Sequence, residues 1–159
     1  MSCKNRGCVG AKGMGAFVRN PCGKAAATRV HPSMNSTGKS ETVVVLGATT
    51  KEDRYANMAQ KLLKEHGHRP IPVNPAFAEI LGEKCYAGIA DVPGPIDTVT
   101  MYLGEARSTP LIADILAAKP RRIIFNPGAE NAHLAREAQA RGIEALEACT
   151  LVMLRTGQY

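Results

Sequence analysis

The sequence predicts an α/β fold: a doubly wound, mostly five-stranded parallel sheet with helices on both faces. Three observations predict it. Short apolar runs recur between residues 42 and 148, stretches with helical spacing separate them, and each run ends on small, polar or turn-forming residues. Strands alternating with helices require right-handed crossovers, and those crossovers cover a parallel sheet on both sides.

The elements follow in order. Thr42–Leu46 is a short, continuous apolar run, β-branched up to Leu46, as in a strand buried on both faces. Tyr55, Met58, Ala59, Leu62, Leu63 and His66 recur at three and four, giving one face of a helix that Asp53 is placed to cap and Gly67 to end. The run HRPIPV supplies a second strand that stops at Val73, before Asn74-Pro75. The stretch AFAEILGEKCYAGIADVPGPID reads as a short helix and loops. Thr98–Leu103 is the third strand. Ser108, two residues before Pro110, opens a helix that carries Leu111, Ile112, Ile115 and Leu116 to Lys119-Pro120. Arg122–Phe125 is strand four, Asn131–Arg141 a helix stopped by Gly142, and Glu144–Ala148 strand five. The tail CTLVMLRTGQY is apolar enough to pack back on the sheet.

A chain of 159 residues has room for one core, and 45% hydrophobic with 21% charged residues is ordinary for a globular domain. No apolar run approaches the roughly 20 residues that a membrane span needs. The net charge of +6 belongs to one end of the chain. Residues 1–40 carry Lys4, Arg6, Lys12, Arg19, Lys24, Arg29 and Lys39 and no acidic residue, whereas residues 41–159 carry 13 basic and 14 acidic ones. The body is nearly neutral, so the high isoelectric point says nothing of its ligand, and nucleic acid is not an expected partner.

The sequence therefore divides into a disordered basic arm, 1–40, and a folded domain, 41–159. The arm is rich in Gly, Ala, Ser, Lys and Arg with Phe17 its only aromatic residue, too little apolar surface to offset the entropy of ordering. A neutral tail, or a true start at Met34, is the expectation; an acid-poor organellar transit peptide is the competing reading. Five cysteines, an odd number, with no secretory apolar stretch point to a reducing, cytoplasmic setting. Cys3, Cys8, Cys22 and His31 lack the C-x-x-C pair that would anchor a zinc site.

In a doubly wound sheet, ligands sit beyond the carboxyl ends of the strands, near the point where strand order reverses. Here those ends carry Gly47-Ala48-Thr49-Thr50-Lys51, Asn74-Pro75, Tyr102-Leu103-Gly104 and Asn126-Pro127-Gly128. Strand-to-helix turns use such residues in any fold, but four of them along one edge tilt the reading toward a binding site. In the first loop, free backbone N–H groups and a positive helix end suit a phosphate or pyrophosphate. Thr49 and Thr50 add hydroxyls there, and Lys51 and Arg54 add charge. A solvated helix start is the plainer alternative for Lys51-Glu52-Asp53-Arg54. A nicotinamide dinucleotide matches badly. Ala48-Thr49 stands where its fingerprint needs a second glycine, and Asn74-Pro75 where it needs an acid for the ribose.

Taken together, GATTKEDRYA, PVNP, LGEKCYAGIADVP, the Tyr102-Leu103 pair and FNPGAEN resemble the small stand-alone coenzyme A-binding proteins. These are similar to the nucleotide-binding domain at the front of the succinyl-CoA synthetase α chain. The resemblance covers 42–159 and none of the arm. It implies a Rossmann-like fold with coenzyme A, or an acyl-CoA, lying across the carboxyl edge of the sheet. It further implies that Gly47, Ala48, Thr49 and Thr50 wrap the phosphates and that Asn74 and Pro75 line the nucleotide. Tyr102 would follow strand three at the site, and Asn126, Pro127 and Gly128 would form the loop after strand four. Lys51 and Arg54 join this set on physical grounds, because a pyrophosphate and a 3′-phosphate call for cations. The ligase α chain has a lysine soon after its second strand; this chain has Ala76-Phe77 there, and Lys84 is the next cation.

No catalytic constellation is legible. The ligases use a histidine of a second domain that this sequence lacks, and His66, His68 and His133 read as surface or capping residues. Cys149 follows strand five, where the resemblance includes a cysteine. It reads as a small buried hydrophobe, with a mixed disulfide to the coenzyme thiol as the alternative. Four functions stay open on sequence: a non-catalytic coenzyme A-binding carrier, sensor or regulatory module; a separated ligase subunit that needs a partner chain; an NAD(P)-binding redox protein; and a domain whose loop binds no nucleotide. A homodimer through the apolar tail is a further expectation.

Overall fold

The structure is a computed structural model that describes residues 39–159. The expectations for residues 1–38 lie outside the described residues. Just inside that boundary, the Ser40 hydroxyl donates to the Gly67 carbonyl at 2.8 Å.

Five parallel strands form the main sheet: β1 (Thr42–Leu46), β2 (Arg69–Val73), β5 (Thr98–Met101), β6 (Arg122–Phe125) and β7 (Glu144–Glu147), in spatial order β2-β1-β5-β6-β7. The fold is Rossmann-like, as the alternation of strands and helices predicts. Strand β1 shows how its sequence works. Val43 and Val45 face one layer, packing with Ala56, Leu63 and Leu154, whereas Val44 and Leu46 face the other, packing with Ile115, Ile123 and Leu134. A strand with helices on both sides has no polar face to show, so its residues are apolar without alternation. Helices α1 (Tyr55–Glu65) and α5 (Thr150–Thr156) cover the first layer; α3 (Ile112–Ala117) and α4 (Ala132–Ala140) cover the second. The apolar tail thus packs back as α5, burying Leu151 and Leu154. No helix among the described residues is long and apolar enough to cross a membrane.

Three expectations need correction. The stretch after β2 is not a short helix but a hairpin, β3 (Glu79–Ile80) and β4 (Glu83–Lys84), followed by a 3-10 turn at Ile89–Asp91. Leu81 and Gly82 both take positive φ, 53° and 76°, which makes the two-residue turn that matches strand twist. Asp53 does not cap α1. A turn closed by the Arg54 N–H on the Lys51 carbonyl puts Arg54 at the cap position, with no side-chain cap bond. The helix placed at Ser108 begins earlier, as α2 (Glu105–Ser108), and passes through a 3-10 turn at Thr109–Leu111 before α3. Pro110 has no N–H for a regular helical bond, and the tighter turn absorbs the break.

At the amino edge of the sheet, the Glu41 carboxylate pairs with Arg121 and Arg122, and the Arg122 guanidinium lies 4.4 Å over the Tyr159 ring. His68 stacks against the same ring, and its Nδ1 accepts the Glu41 N–H at 3.3 Å, so the ring is neutral there. Burial holds the His68 pKa below its usual value; the Glu41 carboxylate opposes this, and His66 and Arg122 add to it. The unfolded chain therefore takes up this proton first. Its contribution to stability is complete above about pH 6.5 and declines as pH falls through that value toward the lower folded pKa. Urea midpoints at about pH 7.5 and about pH 5.5 should differ more for the native chain than for His68→Gln.

Candidate functional site

The chain crosses over between β1 and β5, which makes their carboxyl ends the switch point of the sheet. Gly47 stands there with φ +89°, and a Cβ at this position would lie 2.9 Å from Leu103 Cδ2 and 3.2 Å from the Tyr102 carbonyl carbon. Only glycine satisfies both the backbone angle and the close approach of the two strand ends. Gly47→Ala should lower stability by about 1–3 kcal/mol through the left-handed backbone and the crowding, read as a shift in the denaturant midpoint.

Beyond Gly47, the loop is held by its carbonyls. Asn74 Nδ2 donates to the Ala48 carbonyl at 2.7 Å, and Asn57 Nδ2, fully buried on α1, donates to the Thr49 carbonyl at 2.9 Å. Asn74 itself is fixed by the Ala76 N–H on its Oδ1. Thr49 Oγ1 accepts the Lys51 N–H at 3.3 Å, closing a local turn. The N–H groups of Ala48, Thr49 and Thr50 have no acceptor among the described residues, nor do those of Tyr55 and Ala56 at the start of α1. The missing side-chain cap therefore leaves donors free beside the loop. Carbonyls tied back and N–H groups free is the arrangement of an anion-binding turn.

A cleft of about 420 Å³ opens over this loop, lined from four strand ends. Of the sequence-predicted residues, Gly47, Thr49, Lys51, Arg54, Asn74, Tyr102, Pro127 and Gly128 line it. A second lobe of about 320 Å³ adjoins it through the shared Gly47, Asn74, Leu103 and Arg107. Pro75 lines this lobe with Val73, Ala87, Ile89 and Leu111, a largely apolar wall. Ala48 is fully buried under the loop, and Thr50 is exposed and outside both linings. Lys84 lies on the hairpin, its ammonium 4.9 Å from the Tyr86 ring centre.

Asn126 is a brace below the cleft. It is 3% exposed and donates to Thr100 Oγ1 at 2.7 Å and to the Met101 carbonyl at 3.0 Å, while its Oδ1 accepts the Thr150 N–H at 2.8 Å. Its carbonyl accepts the Ala129 N–H at 2.8 Å across Pro127 and Gly128. With Gly128 at φ +85°, this is a turn whose proline and glycine occupy the positions that favour them. Both Glu130 carboxylate oxygens accept the Gly128 N–H at 3.0 Å; the residue's own backbone N–H, and then that of Gly128, hold the carboxyl below its usual pKa.

Tyr102 lines the cleft and packs against the first-layer core, and its hydroxyl is buried beside Thr100 and Thr150 without a well-placed partner. Burial pushes the phenol up to about 12, more than the two threonine hydroxyls draw it back, so it stays neutral. Neither Cys85 nor Cys149 lines either lobe. Cys85 is the buried one, its thiol raised by burial, whereas Cys149 is partly exposed at the start of α5, which corrects the expectation of a fully buried Cys149. Among the described residues no group of three His, Cys, Asp or Glu gathers as a metal would require.

Sequence reasoning left Arg107 out and took Leu103 only as a strand-end residue; both line the two lobes, together with Gly47 and Asn74. Arg107 forms no ion pair among the described residues. With Lys51 and Arg54 it gives the cleft three cations among the described residues, of which no acidic one lines either lobe.

A model of the CoA binding domain matches residues 41–155, nearly all of the described chain. The chain belongs to this CoA-binding family. Among curated relatives of this CoA-binding domain, an uncharacterized protein of Bacillus subtilis, YneT, is 34% identical over 64 residues, 40% of this chain and 47% of that protein. An ADP-forming acetate–CoA ligase of Methanocaldococcus jannaschii is 35% identical over 63 residues, 40% of this chain and 9% of the ligase. The match thus spans about half of the first relative and a small part of the second. A crystal structure of an uncharacterized protein is similar at TM-score 0.72 and 39% identity, over 77% of this chain and all of that one. The CoA-binding domain described here is thereby related to a segment of acyl-CoA ligases.

Proposed function

We propose that the chain binds coenzyme A, or an acyl-CoA, in the two-lobed cleft, as a non-catalytic carrier, sensor or regulatory module. The observation that carries this reading is the first loop. Its carbonyls are pinned by Asn57 and Asn74, its N–H groups are free, and Lys51 and Arg54 flank it. A pyrophosphate supplies the oxygens such donors need, and the cations offset its charge. The family match supports coenzyme A as the particular pyrophosphate. The strand-two end carries Asn74-Pro75 rather than an acid, which disfavours the ribose of a nicotinamide dinucleotide.

The likeness to a ligase segment supports a second reading, a separated CoA-binding subunit that is catalytic only beside a partner chain. Both readings require the same binding event. Thermal unfolding of the full chain in the presence of coenzyme A tests it: the midpoint should rise with ligand concentration, since a ligand of the folded state stabilises it by mass action. NAD at the same concentrations should leave the midpoint in place. A rise with NAD and none with coenzyme A would overturn the proposal.

A further inference from the structure

Three cations serve the cleft, and they are not equivalent. Lys51 and Arg54 line only the larger lobe, beside the loop that offers its N–H groups. Arg107 lines both lobes. It stands on α2 and, like Asn74, lines both lobes where the larger one passes into the apolar one. The apolar lobe lies over the end of β2, walled by Val73, Pro75, Ile89 and Leu111.

Coenzyme A has a fixed order of parts: adenine, a ribose bearing the 3′-phosphate, the pyrophosphate, then the pantetheine arm. In doubly wound sheets the nucleoside lies toward the end of the second strand and the pyrophosphate at the first loop. With the pyrophosphate on the loop and the adenine in the apolar lobe, the ribose falls at the junction. The 3′-phosphate then meets the one cation common to both lobes. A planar guanidinium with no carboxylate paired to it among the described residues suits a phosphate with its oxygens turned outward. Ala76-Phe77, just after β2, carry no charge.

We infer that Arg107 reads the 3′-phosphate, and so makes the site select coenzyme A over ligands that share its pyrophosphate but lack that group. This inference rests on the coenzyme A reading above and assigns the adenine end of the ligand to the β2 lobe.

The test compares coenzyme A with 3′-dephospho-coenzyme A by calorimetric titration of the full chain, native and with Arg107→Gln or Arg107→Lys. The native chain should prefer coenzyme A by about tenfold to a hundredfold, the worth of one charge-assisted phosphate contact. Arg107→Gln should bring coenzyme A down to the 3′-dephospho value and leave the latter unchanged, and Arg107→Lys should restore part of the preference. The thermal midpoints of the free variants should match the native one, because Arg107 is exposed and forms no ion pair among the described residues. Equal affinity of the native chain for both ligands would overturn the inference while leaving coenzyme A binding intact. So would an Arg107→Gln loss shared equally by both. Binding of neither ligand would remove the parent reading, and this inference with it.

Discussion

Thr49→Asp is expected to weaken coenzyme A binding by about a hundredfold or more while leaving the fold in place. Thr49 lines the larger lobe, and its Oγ1 already accepts the Lys51 N–H. An aspartate oxygen can take the same hydrogen bond, as Asp and Thr both close turns of this kind, so the loop keeps its shape. What changes is the charge. A carboxylate at the mouth of the N–H cluster competes with the ligand phosphate for its donors and repels it in a partly desolvated site. Thr49→Asn supplies the same shape without the charge and should bind within a few-fold of native. Titration of both variants beside the native chain reads the effect. Similar affinities for all three would mean that the phosphates do not sit on this loop.

The largest stability effect is expected at Asn126. Asn126→Ala removes three hydrogen bonds at a site 3% exposed and leaves the Thr150 N–H and the Met101 carbonyl without that partner. Orphaned buried groups cost about 1–3 kcal/mol each, so the unfolding midpoint should fall by on the order of 10 °C. Thr100 and Thr150 share their own hydroxyl bond at 2.7 Å, and the loss should spread into it. The variant should still bind coenzyme A at temperatures where it is folded. An unchanged midpoint with lost binding would make Asn126 a ligand contact rather than a brace.

Much of the fold is legible in the sequence because one principle dominates it. A five-residue run such as Thr42–Leu46, apolar without alternation, favours burial on both faces, and the structure places its valines alternately in two cores. The hairpin after β2 was hidden because its strands have two residues each, too short for any periodicity. The reading of Ser108 as a helix start went astray on Pro110, which favours a first turn but here sits in a 3-10 break. That error also concealed Arg107. Gly104 at the cap followed by Glu105 in the first turn was the signal that a helix begins earlier and brings Arg107 to the cleft. Asn126 shows a different limit. Its place in an Asn-Pro-Gly turn marks a strand end but says nothing of which way the side chain points, and here it points into the core.

In the proposed reading, free N–H groups at the switch point hold the phosphates of coenzyme A. Amide resonances of the isotope-labelled full chain, followed during titration with coenzyme A, test it at the atoms concerned. The largest shifts should fall on Ala48, Thr49 and Thr50 and on the first turn of α1, Tyr55 and Ala56, with no comparable change on adding NAD. Binding that moves other amides and leaves these five in place would mean that the phosphates lie elsewhere.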